Sequence, residues 1–406
     1  MRQSSARAEV RDDGRRPFRL AYVVSHPIQY QAPLLRRLAN ESGLRMKTFF
    51  LTDAGARPFH DAGFGRTIEW DVPLLDGYDY EFVSRDRALP LGFNEPSGFS
   101  WRRAFASQPF DAVWLHGYAH GPLLRAFAAA KARGMRVLVR GESHDGLRET
   151  SRRWRLAAQR TLFRGVDAFL AIGTANREYY VRRGVDAGRI HLAPYSVDNE
   201  ALRSRIAEAR RNRETLRRQL RLSPDLPIVL FASKLQPRKR CADLVDACAA
   251  LHPDTPAQLL IAGDGEERTA LEERARSRGL HAVCFAGFRN QSELPAFYDL
   301  CDIFVLPSER EPWGLVVNEA MNAGKPVVVS DGVGAARDLV RGGESGCIYP
   351  VGDVAGLTAS LRLLLNDAPL RARMGQRSRE IVDAWGIEAT VDGVRGAVAA
   401  LSAPDN

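Results

Sequence analysis

The chain has few cysteines and no long apolar run. Its 406 residues include five cysteines without CxxC spacing, which favours reduced thiols over a disulfide framework or a zinc site. The cysteines all lie in the second half, at Cys241, Cys248, Cys284, Cys301 and Cys347. No apolar run approaches the ~20 residues of a membrane-spanning helix. We therefore expect a cytoplasmic protein with buried thiols and no transmembrane segment.

An apolar segment is also missing from the start of the chain. Residues 1–17, MRQSSARAEVRDDGRRP, are rich in charge. A secretory signal peptide needs an apolar core, so this stretch is expected to be a disordered tail.

Composition is that of an ordinary globular protein, with 45% hydrophobic and 26% charged residues. The net charge is +9, and much of the excess is concentrated in residues 201–222, which carry eight arginines and two glutamates. Residues 151–164 are also arginine-rich, with Trp154, Ala157, Ala158 and Leu162 at helical spacing. Such runs are typical of solvated helix faces, while an anionic membrane surface or a polyanionic partner is the alternative. Nucleic acid is not expected, because neither run is combined with a recognisable binding module.

Apolar, strand-like runs alternate with helical patterns in both halves. The first set covers residues 19–26, 46–51, 111–117, 135–141, 167–173 and 189–195. The second set covers residues 227–233, 258–265, 282–288, 301–308 and 325–332. This alternation predicts an α/β protein with two parallel, doubly wound sheets in series.

The expected domains follow from these two sets of strands. The first domain spans residues 18–196 and the second spans 197–384, with a hinge near 194–199. Residues 385–406 are expected to form a C-terminal helix that packs back on the first domain. Ligands of such sheets bind at the carboxyl ends of the strands.

Residues 52–108 form the exception, because they show no clear period. The aromatic content of a segment this long argues against disorder. Phe64, Trp70 and Tyr78 are expected to form a small satellite core or to contact a substrate.

The stretch EPWGLVVNE places Glu311 and Glu319 at its two ends. Glu311 precedes a Pro-Trp-Gly turn and could simply favour a helix N-terminus. Glu319 lies inside an apolar helical pattern, where an unpaired carboxylate is costly. If the helix reached back to Glu311, the eight residues between the two glutamates would span about 12 Å along the helix axis. Two carboxylates at this separation could bind two parts of one extended ligand.

Other polar and glycine-rich turns also follow strands of the second half. Lys234 and Lys239 follow the first of these strands and suit a diphosphate, although exposed surface lysines are the alternative. Gly263 and Gly265 end the next strand and permit close backbone approach, which a tight turn alone would also explain. The amides of Gly314 and Leu315 would open a helix and could receive a phosphate group.

The order of these motifs resembles the GT-B-fold, retaining glycosyltransferases of glycosyltransferase family 4. The resemblance covers about residues 228–382 and rests on FASKLQPRKR, on LLIAGDGEERTALEERARSRGLHAVCFAGF, on EPWGLVVNEAMNAGKPVVVSD and on GVGAARDLVRGGESGCIYPVGD. Two positions depart from the family pattern: Lys234 stands where arginine is usual, and Asp338 where glutamate is more common. The resemblance implies a GT-B fold, with two Rossmann-like domains facing an interdomain cleft.

The resemblance also implies roles for the residues at the strand ends. Glu311 would contact hydroxyls of the donor sugar, and Glu319 would accept hydrogen bonds from the nucleotide ribose. Lys234, Lys239 and the amides of Gly314 and Leu315 would hold the diphosphate, so that no metal or other cofactor is needed. The expected donor-binding set is Ser233, Lys234, Lys239, Gly263, Gly265, Phe288, Ser308, Glu311, Gly314, Leu315 and Glu319.

The first domain matches the family less well, since SHPIQYQAPLL replaces the glycine pair that often follows the first strand. His26 and Gln29 are therefore candidates for contacting the acceptor or the donor phosphate, and the expected acceptor-side set is His26, Gln29 and Tyr30. In related enzymes a histidine of the first domain lies beside the reacting sugar. His116, Glu142 and His144 follow strands and are the candidates for that position. The expected catalytic set is Glu311, Lys239, Lys234, His116, Glu142 and His144.

These expectations describe a retaining, metal-independent transfer of a sugar from a nucleotide-diphosphate sugar to a hydroxyl of a glycan or glycolipid precursor. A lipid-linked acceptor would place the protein at the inner face of the membrane. One alternative is a nucleotide-sugar epimerase on the same fold. Others are a polyanion-binding protein that uses the arginines and a degenerate transferase that acts as a scaffold.

Overall fold

Two parallel sheets organise the chain, as the alternation of strands and helices predicts. The computed structural model describes residues 16–85, 89–145, 153–251 and 254–403. The expected tail, residues 1–17, lies outside this description except for Arg16 and Pro17. Within the described residues, no helix combines the length and the apolar character needed to cross a bilayer.

The first sheet has seven parallel strands in the order β5-β2-β1-β6-β7-β8-β9. Its strands are β1 (Phe18–Val24), β2 (Leu44–Phe50), β5 (Asp79–Phe82), β6 (Ala112–His116), β7 (Arg136–Arg140), β8 (Ala168–Ala171) and β9 (Ile190–Leu192). The helices of this domain are α1 (Ala32–Ala39), α2 (Trp101–Ser107), α3 (Gly121–Lys131), α4 (Arg153–Arg164) and α5 (Thr174–Arg182). A small antiparallel hairpin, β3 (Phe59–Asp61) and β4 (Arg66–Ile68), is separate from the sheet.

The second sheet has six parallel strands in the order β12-β11-β10-β13-β14-β15. Its strands are β10 (Ile228–Ala232), β11 (Gln258–Ala262), β12 (Val283–Gly287), β13 (Ile303–Leu306), β14 (Val327–Ser330) and β15 (Gly346–Tyr349). The accompanying helices are α6 (Asn199–Ala209), α7 (Arg213–Gln219), α8 (Cys241–Leu251), α9 (Arg268–Ser277), α10 (Leu294–Leu300), α11 (Leu315–Asn322), α12 (Ala336–Leu339), α13 (Val354–Asn366) and α14 (Ala368–Asp383).

Both faces of each sheet are buried, which explains why the strands read as continuous apolar runs. In β1, Ala21 and Val23 belong to one buried cluster, while Leu20, Tyr22 and Val24 belong to another on the opposite face. The central strands of the second sheet divide in the same way between two clusters. Because every strand runs parallel to its neighbours, the carboxyl ends of each sheet lie along one edge.

All eleven predicted strands are present, with ends shifted by a few residues. The predicted basic helix over 201–222 is broken into α6, a 3₁₀ turn at Arg210–Asn212, and α7. The break places Arg210 and Arg213 against Asp299, which is 1% exposed, at 2.9 and 3.2 Å. Part of this arginine run therefore forms internal ion pairs rather than a free basic face.

The helical spacing in residues 151–164 is confirmed, because Arg153–Arg164 form α4. Ala157 and Ala158 are exposed, and Phe163 provides the buried contact instead. The side chain of Trp154 lies outside the described residues.

A last helix, α15 (Ile387–Ser402), returns to the first domain. Val391, Val394 and Ala397 are buried in the same cluster as residues of β1 and β8. Gly393 permits the close approach, because a Cβ there would lie 2.1 Å from the carbonyl oxygen of Leu192. Arg395 completes the contact by binding Glu41 of the loop after α1 at 2.6 Å.

Candidate active site in the interdomain cleft

The strand ends of the two sheets face a shared cavity of about 1000 Å³. The second domain contributes Lys234, Lys239, Glu311 and Glu319 to its wall. The first domain contributes residues that follow β1, β6 and β7, together with the β3–β4 hairpin. The volume lies in the range of small-molecule binding sites.

Glu311 lies in the loop after β13, with its carboxylate against the ammonium of Lys239. Ser308 Oγ and Arg238 Nη1 are 3.5 and 3.8 Å from the same Glu311 oxygen, Oε2. The helix α11 begins at Leu315, so its geometry does not reach back to Glu311 and the expected 12 Å helical step does not apply. Instead, a backbone bridge to Val333 fixes the Glu311 loop.

Lys239 ends a 3₁₀ turn, Pro237–Lys239, and is only 7% exposed. Burial lowers the pKa of its ammonium, while the adjacent Glu311 carboxylate raises it and offsets part of that effect. A buried cation with one carboxylate partner stabilises further negative charge strongly, because water does not screen it. The turn therefore presents an ammonium that suits a diphosphate.

The first turn of α11 forms another part of the cavity wall. Gly314 precedes the helix in the left-handed conformation, with φ of 96°, and a Cβ there would lie 3.0 Å from the Leu306 side chain. Trp313 stabilises this turn by donating its indole N–H to Asn318 Oδ1 at 2.9 Å. The amides of a helix's first turn lack intrahelical acceptors, so this end suits an anionic group.

Glu319, one turn into α11, also lines the cavity. The buried hydroxyl of Tyr298 donates to Glu319 Oε2 at 2.5 Å. Burial raises the pKa of Glu319 to about 7, and the Tyr298 hydrogen bond opposes this rise. The carboxyl therefore changes its charge near neutral pH.

The remaining donor-side residues have different surroundings. Ser233, Gly263 and Phe288 line the cavity. A Cβ at Gly263 would lie 1.9 Å from the backbone oxygen of Ser233, and one at Gly265 would lie 2.5 Å from that of Leu235. The sequence predicts close backbone approach at Gly263 and Gly265. In the structure, both glycines approach the backbone of the residues that follow β10.

Lys234 forms an ion pair with a residue of the first domain. Its ammonium lies 2.7 and 2.8 Å from the two carboxylate oxygens of Asp61, at the end of β3. It also lies 4.7 Å from the ring centroid of Phe64. The two lysines therefore differ, since one has a partner in its own domain and the other has a partner across the cleft.

On the first-domain side, His116 ends β6 and contacts Tyr22 at 2.9 Å through Nδ1. Its Nε2 lies 3.1 Å from the hydroxyl of Tyr195 and 3.4 Å from Glu142 Oε1. Tyr195 also donates to Glu142. Burial raises the pKa of Glu142, but hydrogen bonds from His116 and Tyr195 and the charge of Arg140 together lower it below its usual value. Glu142 is therefore a carboxylate at neutral pH, facing the cavity.

Of the other first-domain candidates, His26, Gln29 and Tyr30 all line the cavity. Burial lowers the pKa of His26 to about 4, so this imidazole is neutral at physiological pH. His144, in contrast, is 8% exposed and lies 3.1 Å from the backbone oxygen of Glu311. The structure thus brings His116 and Glu142 to the cavity and places His144 in a contact between the domains.

The satellite core expected from Phe64, Trp70 and Tyr78 is not formed. Phe64 packs against Phe288 of the second domain, with ring centroids 4.8 Å apart, and Trp70 is 6.4 Å from the same ring. Tyr78 packs against Phe50 of the first sheet. Two of the three aromatic residues therefore line the cleft.

Sequence reasoning missed Asp61 and Tyr195. Tyr195 could have been found, because it follows β9 in the segment expected to be the hinge. Asp61 carries no comparable signal, since β3 is three residues long and its partner Lys234 is distant in sequence.

Asp338 stands where the family more often has glutamate. It links α12 of the second domain to α5 of the first domain. It accepts hydrogen bonds from the hydroxyl and the amide of Thr174, at 2.5 and 3.0 Å. Burial raises the pKa of Asp338, and the Thr174 hydrogen bonds oppose that rise. Among the described residues, no group of three or more histidine, cysteine or acidic side chains forms a candidate metal site.

Comparison with known proteins agrees with this architecture. The sequence matches the family described as Glycosyl transferases group 1 over residues 212–381 and a Glycosyl transferase 4-like domain over residues 27–196. It is 30% identical over 224 residues to alpha-D-kanosaminyltransferase of Streptomyces kanamyceticus, covering 54% of this chain and 57% of that protein. It is 36% identical over 195 residues to a GDP-mannose-dependent alpha-mannosyltransferase of Mycobacterium tuberculosis, covering 48% and 47% of the two chains. The match thus spans about half the length of these curated relatives.

Solved structures match over nearly the whole chain. The complex of Anabaena HepE with UDP superimposes with a TM-score of 0.72 at 20% identity, covering 94% of this chain and 99% of that one. A glycosyltransferase from Rickettsia africae superimposes with a TM-score of 0.75 at 12% identity, covering 96% and 100%. At these identities the likeness shows the fold, which is the expected two-domain GT-B fold. The chain thus carries a glycosyl transferase 4-like domain followed by a glycosyl transferases group 1 domain, on the two-domain GT-B fold.

Proposed function

We propose that this protein is a retaining, metal-independent glycosyltransferase that moves a sugar from a nucleotide-diphosphate sugar to a hydroxyl of a glycan or glycolipid precursor in cell-surface polysaccharide synthesis. One observation carries the proposal. Two lysines, the first turn of α11 and two glutamates of the second domain converge on one cavity. They provide cations and amides for a diphosphate and two carboxyl groups for hydroxyl groups.

Each part of a nucleotide sugar then has a partner. Glu319 accepts hydrogen bonds from the ribose, and Lys239, Lys234 and the α11 amides bind the diphosphate. Glu311 accepts hydrogen bonds from the donor sugar, and Glu142 and His116 of the first domain line the same cavity. This assignment leaves His26, Gln29 and Tyr30 for the incoming acceptor.

The reaction breaks the bond between the anomeric carbon and the β-phosphate oxygen. An acceptor hydroxyl oxygen forms its bond to the same carbon on the face from which the diphosphate departs, so the configuration is retained. The hydroxyl proton passes to the departing phosphate, and the products are the glycoside and a nucleoside diphosphate. Lys239 and the α11 amides stabilise the negative charge that grows on the leaving group.

A thermal-shift panel with UDP, GDP, dTDP, ADP and CMP tests the donor assignment. We expect one nucleotide at about 100 times its Kd to stabilise the native protein by ~2.7 kcal/mol. Glu319→Ala should lose this shift, while the control Glu344→Ala, at an exposed ion pair with Arg377, should keep it. The donor assignment is wrong if none of the nucleotides shifts the wild-type protein.

The proposed lipid-linked acceptor would require contact with the inner leaflet. Arg205, Arg211, Arg218 and Arg221 remain exposed on segment 201–222 and could contact anionic lipid. We expect more protein to sediment with vesicles containing phosphatidylglycerol than with phosphatidylcholine vesicles, and less after these four arginines are replaced by glutamine. Equal binding to both kinds of vesicle would remove the support for membrane association.

A further inference from the structure

The segment from β3 to Asp71, residues 59–71, reaches across the cleft from the first domain to the second; we call it the cleft segment. Its tip packs directly on Lys234, because a Cβ at Gly63 would lie 2.7 Å from Lys234 Cδ. Further along, Asn290 donates to the backbone oxygen of Glu69 at 2.6 Å, and the Ser292 amide donates to Asp71 at 3.2 Å. The cleft segment is thus held at its charged tip and again near its end.

The charged contact at the tip concerns a residue of the donor site. Lys234 Nζ lies within 2.8 Å of both carboxylate oxygens of Asp61, and the Asp61 side chain is only 15% exposed. With so little exposure, solvent screens the pair less than it would a surface ion pair. The positive charge of Lys234 is therefore already balanced in part by a group from the opposite domain.

A diphosphate needs the same ammonium. When its oxygens approach Lys234, they compete with the Asp61 carboxylate for the same N–H donors, and like charges at this distance repel each other. Both anions cannot keep full contact with one ammonium that is also packed against Phe64 and Gly63. Because the Asp61 oxygens already engage the N–H donors of Lys234, full contact of the diphosphate with this ammonium requires Asp61 to give up at least part of its contact, and departure of the diphosphate allows the pair to re-form.

We propose that Asp61 is a displaceable counter-ion of the diphosphate site, which weakens retention of the nucleoside diphosphate and speeds its release after transfer. The inference rests on the proposed function, because it needs Lys234 to bind the donor diphosphate. The carboxylate holds Lys234 when no diphosphate is bound and regains it as the product leaves. Asp61 is in this sense a positioning residue, since it acts through Lys234 and not on the reacting sugar.

A purely structural role for Asp61 is the competing explanation. Asp61 Oδ1 accepts hydrogen bonds from the amides of Gly63 and Phe64, at 2.8 and 3.1 Å, and so stabilises the turn at the tip. Asp61→Asn separates the two roles, because asparagine keeps the Oδ1 acceptor for the turn and removes the negative charge. Asp71→Asn is a matched control, since it removes a carboxylate of the same segment that contacts Ser292 instead of a lysine.

Calorimetric titration with UDP, GDP and inorganic pyrophosphate tests the proposal on the full-length protein. Asp61→Asn should lower the Kd of the nucleotide that binds by about tenfold, which corresponds to ~1.4 kcal/mol. It should also lower the Kd of pyrophosphate and slow nucleotide dissociation in stopped-flow displacement, while Asp71→Asn leaves these values unchanged. In a Lys234→Met background, the effect of Asp61→Asn on Kd should differ in size from its effect in the wild-type protein, because the two residues act as a coupled pair.

The outcomes separate this inference from the proposed function. If the wild-type protein binds a nucleotide and Asp61→Asn binds it equally or more weakly, Asp61 has only a structural role and the inference is overturned alone. If neither nucleotide nor pyrophosphate binds to any variant, the donor assignment fails and the inference fails with it. An effect of the same size in the Lys234→Met background would also overturn the inference, because Asp61 would then act on the diphosphate independently of Lys234.

Discussion

Lys239→Ala is expected to lower kcat about 10²–10³-fold, the loss typical when one preorganised group that stabilises transition-state charge is removed. The ammonium of Lys239 is almost fully buried, and its position is fixed by the 3₁₀ turn and by Glu311. It therefore stabilises the departing diphosphate without reorganising during the reaction. The loss should appear mainly in kcat, because charge on the leaving group is greater in the transition state than in the bound donor.

Removal of Lys239 also leaves the Glu311 carboxylate without its main cation, so the measurement needs a control for stability. Lys131→Ala removes an ion pair of the same type, with Asp167 at 2.7 Å, on the side of the first domain away from the cleft. We expect Lys131→Ala to keep wild-type kcat, with both Tm values measured alongside activity. Wild-type kcat in a folded Lys239→Ala variant would exclude Lys239 from the chemistry.

Donor affinity is expected to decrease as pH falls through about 7, because Glu319 gains a proton there. Burial raises the pKa of this carboxyl to about 7, and a protonated carboxyl has less capacity to accept hydrogen bonds from two ribose hydroxyls. If only the carboxylate form binds well, the Kd of the nucleotide sugar should rise about tenfold per pH unit below the pKa. The nucleotide sugar is the right ligand, since its diphosphate is a diester that does not titrate in this range.

Glu319→Gln should bind the donor weakly at all pH values, so its Kd should not change with pH.

The same substitution should change how the free energy of unfolding depends on pH. The folded-state pKa of about 7 lies above the ~4.3 of an unfolded glutamate, so between these values the folded state binds more protons and stability falls as pH rises. His26 contributes the opposite slope, because burial lowers its pKa to about 4. Urea unfolding at pH 5 and pH 8 should therefore be compared between wild type and Glu319→Gln, and equal differences would contradict the raised pKa.

The fold and the second-domain wall of the cavity were largely predictable from the sequence. Strands buried on both faces give continuous apolar runs, and the rule that ligands bind at strand carboxyl ends selects Lys234, Lys239, Glu311 and Glu319. Lys234 and Glu311 lie in the loops directly after β10 and β13, and Lys239 and Glu319 lie on the 3₁₀ turn and the helix that follow these loops, so local sequence contains the information. The candidate roles of these residues remain predictions that the experiments above address.

The missed features depend on contacts between distant parts of the chain. The hairpin strands β3 and β4 are three residues long, which is too short to show an alternating pattern. The helix over 201–222 breaks without a proline or glycine, because Arg210 and Arg213 reach Asp299. His116, Glu142 and His144 could not be ranked either, since their distance from the cavity depends on the packing of the two domains.

The return of α15 to the first domain has a consequence for synthesis on the ribosome. Helix α15 covers apolar residues of β1 and β8 with Val391, Val394 and Ala397, so the second domain is in effect an insertion within the first. A nascent chain that already contains the whole first sheet still lacks the helix that covers this part of it. Folding in strict N-to-C order, which is usual for multidomain chains, would leave that apolar face exposed while the second domain is being translated. With this topology, the apolar cluster of the first domain can be completed only after the last helix has been synthesised.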